Sequence, residues 1–168
     1  LKANQTSQQL SALLMIAPYA QEDTYINVVG ELVSGSYVDI TCRVMADFGV
    51  EVSQPAPNQF YIKAGQCYQP RSYPIEPDAS NASYFLAAAA VSGGRVRVEH
   101  LSCASCQGDA RFGEVLAAMG CQVTVTASYT EVIGPAQLQG LEVDMNNMSD
   151  LVQTLAAIAP FAAAPVVI

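Results

Sequence analysis

The sequence predicts an α/β protein made of repeated helix–strand–helix–strand–strand units arranged in two lobes. Apolar residues recur at helical spacing in some segments and alternate with polar residues in the segments between them. The same order of elements then starts again about 70 residues later. This period is typical of compact α/β units and is too long for a common solenoid.

Composition excludes several classes of function. The chain has 168 residues, 51% hydrophobic and 13% charged, which is enough apolar material for a sizeable core. Its formal net charge is -8 and its seven basic residues are dispersed singly, so neither a nucleic acid nor an anionic membrane is expected as a partner. No apolar run approaches the roughly 18 residues that a bilayer span requires.

The chain ends and the cysteines suggest where the protein is located. The chain begins at Leu1 without a methionine and stops at Ile168 within a strand-like segment, so we expect a piece of a longer protein. No signal segment of a charged and then an apolar stretch is present. Five cysteines, an odd number, are typical of free thiols in a reducing compartment. The predicted location is therefore cytoplasmic.

The first repeat contains two predicted helices. One covers about residues 7–19, because four apolar residues have the spacing of a buried stripe: Leu10, Leu13, Leu14 and Ala17. The other runs from about Tyr37 to Phe48 and ends at Gly49, which readily adopts a left-handed C-cap conformation. Its inward-facing candidates are Val38, Ile40, Val44 and Met45.

Three strands complete the first repeat. Alternating residues predict one at Thr24–Val29, and two shorter strands are expected at Val50–Val52 and Gln59–Lys63. Turn residues join the last two: Pro55, Pro57 and Asn58.

The second repeat follows a proline-containing segment, Arg71–Asp78, which is the predicted linker, and Asp78 is a natural N-cap for the next helix. The expected elements are helices at about Asp78–Ala90 and Gly108–Met119, and strands at Arg95–Val98, Gln122–Thr126 and Thr130–Ile133. A third, truncated repeat is expected to open with a helix at Asp150–Phe161. Phe48–Val52 in the first repeat corresponds to Met119–Val123 in the second.

The polar run Asn4–Gln9 leads directly into the first helix and contains no carboxylate. The first turn of a helix has unpaired backbone N–H groups and partial positive charge, so hydroxyl and amide side chains there can receive a phosphate. The alternative is that Thr6 or Ser7 only caps its own helix. If the run does bind phosphate, this acidic chain must do so mainly through neutral donors and helix ends, or with basic groups from outside these residues.

Five motifs in the same order resemble the EPSP synthase (5-enolpyruvylshikimate-3-phosphate synthase) family. They are Thr6–Gln8 with the helix after it, Gly30–Ser34 with Tyr37–Thr41, Asp78–Ala87, Gln107–Phe112 and Asp144–Asp150. The resemblance covers almost the whole chain, and the chain resembles the middle of that enzyme.

The resemblance implies an enolpyruvyl transferase of the inside-out α/β barrel type, whose two domains each contain three similar units. The family transfers the enolpyruvyl group of phosphoenolpyruvate to shikimate 3-phosphate and releases phosphate, in the shikimate pathway of aromatic amino acid biosynthesis. The family's chain crosses between domains near Glu76–Asp78 in this numbering. Residues 1–76 would then belong to one domain, and residues 77–168 to the other with the truncated start of a further unit.

The resemblance also assigns site residues. The hydroxyls of Thr6 and Ser7 would hold the 3-phosphate, and Gln8 would contact both shikimate 3-phosphate and phosphoenolpyruvate. Ser34 and Tyr37 would add contacts to shikimate 3-phosphate. The remaining segments of the parent enzyme would supply the cations that bind phosphoenolpyruvate, so this chain alone is expected to be inactive.

Asp150 matches the family's aspartate in the cleft. The 5-hydroxyl must lose a proton as it attacks the enolpyruvyl carbon, and a carboxylate within hydrogen-bond distance can orient that hydroxyl and accept the proton. The alternative for Asp150, at a predicted helix start, is a capping role.

No metal or cofactor is predicted. His100, Cys103 and Cys106 have metal-like spacing, but a tetrahedral zinc site needs a fourth ligand. Gly93-Gly94 lacks the phosphate-loop pattern. Two alternatives remain for the function: a catalytically inert α/β binding module, and the related UDP-N-acetylglucosamine enolpyruvyl transferase, which the Thr6–Gln8 phosphate motif disfavours.

Overall fold

Helices and strands alternate along the chain in the predicted order. The computed structural model describes residues 7–30, 32 and 34–168. The chain divides into two compact units, Leu1–Pro74 and Ile75–Ile168.

The first unit combines two helices with a small antiparallel sheet. Its described elements are α1 (Gln8–Ile16, continued by a 3-10 turn at Ala17–Tyr19), β1 (Thr24–Asn27), α2 (Gly35–Asp47), β2 (Ser53–Ala56) and β3 (Gln59–Ile62). The described strands have the order β1-β3-β2, and both pairs are antiparallel. The last strand of the unit therefore lies between the other two.

The core of the first unit lies between α1, α2 and the sheet. Leu10 and Leu14 of α1 are fully buried and belong to one cluster with ten buried members: Leu10, Leu14, Ala17, Ile26, Val28, Val38, Met45, Val50, Phe60 and Ile62. Each large apolar side chain in that cluster contributes about 1.5–3 kcal/mol when it leaves water. This burial is the main stabilising term of the unit.

Three residues predicted to face inward do not. Leu13 of α1 is 40% exposed, so its place in the predicted stripe was wrong. Ile40 and Val44 of α2 are only half-buried and line a surface groove together with Phe48. Helical spacing locates an apolar side of a helix but does not determine how much of that side other elements cover.

The strand predicted at Val50–Val52 is also wrong, and β2 begins at Ser53 instead. Val50 belongs to the end of α2: its N–H donates to Met45 O at 2.9 Å, while the Gly49 N–H donates to Ala46 O at 2.9 Å. Gly49 has φ +86, so these bonds form a Schellman motif. Pro55, which has no N–H, sits at the register shift of the sheet's edge strand β2.

The second unit repeats this arrangement. Its described elements are α3 (Ala79–Ser92), β4 (Arg95–Glu99), α4 (Phe112–Ala118, preceded by a 3-10 turn at Gly108–Arg111), β5 (Gln122–Val125), β6 (Tyr129–Ile133) and α5 (Val152–Ile158, between 3-10 turns at Asn146–Leu151 and Ala159–Phe161). Its described strands have the order β4-β6-β5, all antiparallel. In both sheets, the last strand of the unit thus lies between the first strand and the middle one.

The helix ends confirm the internal repeat. Gly120 has φ +97 and follows α4, as Gly49 follows α2. The Gly120 N–H donates to Ala117 O and the Cys121 N–H to Leu116 O, both at 3.0 Å, which is the same Schellman pattern. Asp78 is confirmed as the N-cap of α3, because its carboxylate accepts the Asn81 N–H at 3.0 Å.

The segment after β6 packs into the second unit. Leu151, Leu155 and Ile158 join a single core cluster with residues of α3, α4 and β6. The predicted third repeat therefore contributes its helix α5 to the core of the second unit. Both α1 and α5 end in an Ala-Pro-aromatic 3-10 turn, at Ala17–Tyr19 and Ala159–Phe161.

Strands β4 and β6 are linked by a charged cluster. Glu131 is 7% exposed and contacts Arg95 at 3.0 Å and Arg97 at 2.8 Å. The Arg97 guanidinium also lies 3.8 Å from the centre of the Tyr129 ring. The hydrogen bond from Arg95, followed by that from Arg97, holds the pKa of Glu131 below its ordinary value.

This cluster predicts how stability responds to acid. Because the folded-state pKa of Glu131 is lowered, its contribution is fully present above the ordinary pKa of 4.5 and is lost as the pH falls through the folded-state value. Glu131→Gln should lower the melting temperature at pH 7, and the difference from the wild-type chain should shrink below pH 4.5.

Thermal unfolding between pH 7 and about pH 3 measures this effect, with Glu142→Gln, an exposed glutamate of the same unit, as the control. A difference between Glu131→Gln and wild type that stays constant over that range would contradict the role of the carboxylate charge.

Candidate functional site

The start of α1 carries two of the predicted substrate residues. Ser7 occupies the N-cap position and is 4% exposed, but its hydroxyl makes no capping hydrogen bond. The alternative that Ser7 caps its own helix is therefore wrong. Gln8 is the first residue of α1 and is exposed. Thr6, the third predicted residue of this motif, lies outside the described residues.

The start of α2 carries two more of the predicted substrate residues, Ser34 and Tyr37. Ser34 is the N-cap of α2 and has φ 57 and ψ 44, a left-handed conformation that costs about 1–2 kcal/mol for a residue other than glycine. Its carbonyl accepts the Tyr37 N–H at 3.2 Å. Both residues are half-buried. Strain of this kind persists only where the surrounding structure maintains it.

The electrostatics of both helix starts favour an anion. Among the described residues, neither α1 nor α2 has an acidic side chain in its first turn. The partial positive charge of each helix start is therefore not neutralised locally, and a negatively charged ligand is stabilised there. An anionic group such as a phosphate or a carboxylate suits this combination of helix ends, hydroxyls and an amide.

The two helices that begin with these residues pack against each other within the first unit. The hydroxyl oxygens of Ser11 in α1 and Thr41 in α2 are 2.8 Å apart. Ser11 comes one turn after Ser7, and Thr41 comes one turn after Tyr37. Ser11 is the fourth residue of α1 and Thr41 is the seventh of the thirteen residues of α2, so the first half of α1 contacts the middle of α2.

Asp150 lies in the second unit, within the 3-10 turn Asn146–Leu151. The following helix α5 starts at Val152 with Leu151 as its N-cap, so the capping alternative for Asp150 is wrong. Its carboxylate is exposed and accepts no hydrogen bond from the residues that the structure describes. It is therefore available to an external hydroxyl group.

Three surface cavities formed by described residues do not have Ser7, Gln8, Ser34, Tyr37 or Asp150 in their linings. One cavity in the second unit, of about 540 Å³, is lined by Ser149 but also by Glu142 and Asp144. Two carboxylates repel an anion, so that cavity does not suit a phosphate ligand. A groove of about 680 Å³ in the first unit is lined mostly by apolar side chains of α1 and β1, including Leu13 and Ile16.

Most basic side chains have local partners. Arg95 and Arg97 contact Glu131, and Arg111 contacts Glu114 at 2.8 Å. The Arg71 guanidinium donates to the Asp47 carbonyl. Arg43 and Lys63 are exposed. None of these six residues begins α1 or α2, and the seventh basic residue, Lys2, lies outside the described residues.

The residues with metal-like spacing form no centre. Among the described residues, no group of three or more His, Cys, Asp and Glu side chains is arranged to hold a metal ion. The Cys106 thiol instead donates to Glu76 Oε1 at 3.6 Å. All five cysteines are free thiols. Of the described helices, none combines the length and apolar character needed to cross a bilayer.

Residues 1–168 match the family model described as EPSP synthase (3-phosphoshikimate 1-carboxyvinyltransferase). A 3-phosphoshikimate 1-carboxyvinyltransferase of Nostoc sp. is 73% identical over the whole chain, which corresponds to 40% of that relative. The Yersinia pestis protein of the same name is 48% identical over 97% of this chain and 38% of its own length. The chain thus spans about two fifths of the curated relatives that it matches.

Solved structures confirm the predicted fold class. An EPSP synthase from Acinetobacter baumannii matches with a TM-score of 0.72 and 19% identity, over 99% of this chain and 39% of that one. The enolpyruvyl transferase NikO from Streptomyces tendae matches with a TM-score of 0.74 and 18% identity, over 95% of this chain and 38% of that one. At these identities the likeness concerns the fold alone.

Proposed function

This chain belongs to the EPSP synthase family, and on that premise we propose that its parent protein transfers the enolpyruvyl group of phosphoenolpyruvate to the 5-hydroxyl of shikimate 3-phosphate and releases phosphate. The observation that carries the proposal is the pair of packed helices α1 and α2 in the first unit, each of which has a serine at its N-cap position. They present neutral donors and, in the described residues, no acidic side chain in either first turn.

In this proposal, the first unit binds the 3-phosphate. The hydroxyls of Thr6 and Ser7 and the start of α1 contact the phosphate oxygens, and Ser34 and Tyr37 contact the same substrate from the start of α2. Gln8 reaches both substrates with its amide. The Ser7 hydroxyl supports this role because it is not occupied in capping α1.

The second unit supplies the base. As the 5-hydroxyl oxygen of shikimate 3-phosphate bonds to the enolpyruvyl carbon, its proton passes to the Asp150 carboxylate. As the new C–O bond forms, the terminal carbon of the double bond takes up a proton. Loss of a proton from that carbon then expels inorganic phosphate and restores the double bond, so atoms and charge balance without a cofactor. The exposed Asp150 carboxylate has no partner among the described residues, which supports this role.

The remaining segments of the parent complete the site. Phosphoenolpyruvate is strongly anionic, and binding it beside a second phosphate requires several Lys or Arg side chains. We assign those cations to segments outside this chain, and residues 1–76 and 77–168 to two different domains of a cytoplasmic enzyme. The pairing of Arg95, Arg97 and Arg111 with glutamates supports the first assignment.

Two alternatives make different predictions. An inert α/β binding module would bind phosphorylated ligands without turnover. A UDP-N-acetylglucosamine enolpyruvyl transferase would turn over that nucleotide sugar, which offers no phosphate at the position of the Thr6–Gln8 motif.

We expect shikimate 3-phosphate, and not free shikimate, to perturb NMR amide signals of residues 6–9 in this chain. Each charge-assisted hydrogen bond contributes about 1.5–3 kcal/mol, and association costs at least about 4 kcal/mol. Three such bonds then support affinity in about the millimolar range. Ser7→Ala should weaken the response, while Ser128→Ala, on an exposed turn of the second unit, should not. Equal responses to both ligands would rule out the phosphate assignment.

We expect no enolpyruvyl transfer by this chain alone and clear turnover by its full-length parent. Loss of one preorganised electrostatic partner commonly costs about 10²–10³ in rate, so loss of all phosphoenolpyruvate cations should abolish it. The turnover of each protein is measured as the release of inorganic phosphate from the two substrates, under the same conditions for both.

The matched variant is Asp150→Asn in the full-length parent, which keeps the shape of the side chain and removes the base. Its kcat should fall strongly. Turnover by the isolated chain would show that the missing cations are dispensable. An inactive parent would favour the inert module.

A further inference from the structure

Two hydroxyl pairs join helices one turn behind the candidate site residues. In the first unit, Ser11 of α1 and Thr41 of α2 have their hydroxyl oxygens 2.8 Å apart. In the second unit, the hydroxyl oxygens of Ser83 in α3 and Thr154 in α5 are 3.1 Å apart. Each pair contains one serine and one threonine from different helices.

The threonines have the same spacing from a candidate site residue. Thr41 lies four residues after Tyr37, and Thr154 lies four residues after Asp150. Four residues are about one helical turn, so Thr41 is on the side of α2 that carries Tyr37, while Asp150 lies in the 3-10 turn that leads directly into α5. The serines correspond in the internal repeat, since Ser11 and Ser83 both lie in the first turns of the first helix of their unit.

Each pair is anchored to the backbone by a second bond. The Thr41 hydroxyl donates to the Ser11 hydroxyl and also lies 2.9 Å from the Tyr37 carbonyl oxygen, which can only accept, so the two acceptors share the Thr41 proton. In the other unit, Ser83 donates to the Ser80 carbonyl at 2.6 Å, which makes Thr154 the donor of that pair. Each pair therefore fixes one helix against the backbone of its neighbour.

The surroundings of the two pairs are such that apolar side chains would stabilise the fold as well as these hydroxyls do. Thr41 lines a groove whose other members are apolar or aromatic, including Ile40, Val44 and Phe48. Ser83 is fully buried and Thr154 is 6% exposed. Replacing both members of a buried hydrogen-bonded pair by apolar groups of the same shape is nearly neutral or stabilising. A hydrogen bond adds direction, which an apolar contact lacks.

We propose that the Ser11–Thr41 and Ser83–Thr154 pairs are positioning pairs for the transfer reaction. The first fixes α1 against α2, whose first residues hold shikimate 3-phosphate, and the second sets the placement of Asp150 through α5, which begins two residues after it. This inference rests on the proposed function. Misplacement of a reacting group by about 1 Å can cost about 10²-fold in rate, so small shifts of the helices at these two hydroxyl pairs have measurable effects on the rate.

The test uses the full-length parent with Thr41→Val and Thr154→Val, which keep the side-chain shape and remove the hydroxyl. Thr41→Val should raise the KM for shikimate 3-phosphate about 10-fold at nearly unchanged kcat, because it weakens substrate binding in the ground state and transition state alike. Thr154→Val should lower kcat about 10-fold and leave that KM within about twofold, because it displaces the base. Thr41→Ser and Thr154→Ser should restore wild-type values.

The matched control is Thr130→Val. Thr130 is 1% exposed and its hydroxyl donates to the Leu101 carbonyl at 2.9 Å, so this variant removes a comparable buried bond outside both pairs. It should change the melting temperature and leave the kinetic constants unaltered. If Thr41→Val or Thr154→Val does not fold, Ser11→Ala or Ser83→Ala breaks the same pair from the other helix.

The outcomes separate the two proposals. A wild-type parent without turnover overturns the proposed function itself. An active parent in which Thr41→Val and Thr154→Val behave like Thr130→Val overturns the positioning role. A Ser11→Ala/Thr41→Val double variant no worse than Thr41→Val alone supports the pair as one unit.

Discussion

Each unit depends on the burial of one apolar stripe of its first helix beside an antiparallel sheet. In the first unit, Leu10 and Leu14 of α1 share a core with Phe60 and Ile62 of β3. In the second unit, Leu86 of α3 joins a core with residues of α4, α5 and β6. Once this stripe is buried, the direction of the helix is set, and the residues that begin it are held at one end of the unit.

The strand order follows from the same constraint. In both sheets the last strand of the unit lies between the other two, so the middle strand becomes an edge. The edge strand β2 can therefore contain Pro55 and a register shift without loss of a central ladder bond. Matching Schellman motifs at Gly49 and Gly120 end the second helix of each unit and turn the chain toward that edge.

The candidate site uses the ends of elements, where backbone groups are unpaired. Ser7 and Ser34 begin the two helices of the first unit, and Asp150 lies in the 3-10 turn before α5. Under the proposed function, neutral residues bind an anion in a chain of net charge -8 because the helix ends supply positive potential that no side chain has to carry. This distribution also explains why hydroxyl pairs one turn further along the helices can control the geometry of the site.

The sequence by itself determined the local features of the fold, which depend only on residues close together in the chain. Asp78 as an N-cap, Gly49 as a left-handed helix end and the order of helices and strands were predictable because each depends on backbone preferences and periodicity within a few residues. Tertiary structure alone decided that Leu13 is exposed, that β2 starts at Ser53, that Ser34 is left-handed, and that Ser11 meets Thr41 across 30 positions of chain. Those outcomes depend on which surfaces meet when helices pack on a sheet, and contacts between distant residues leave no periodic signal in the local sequence.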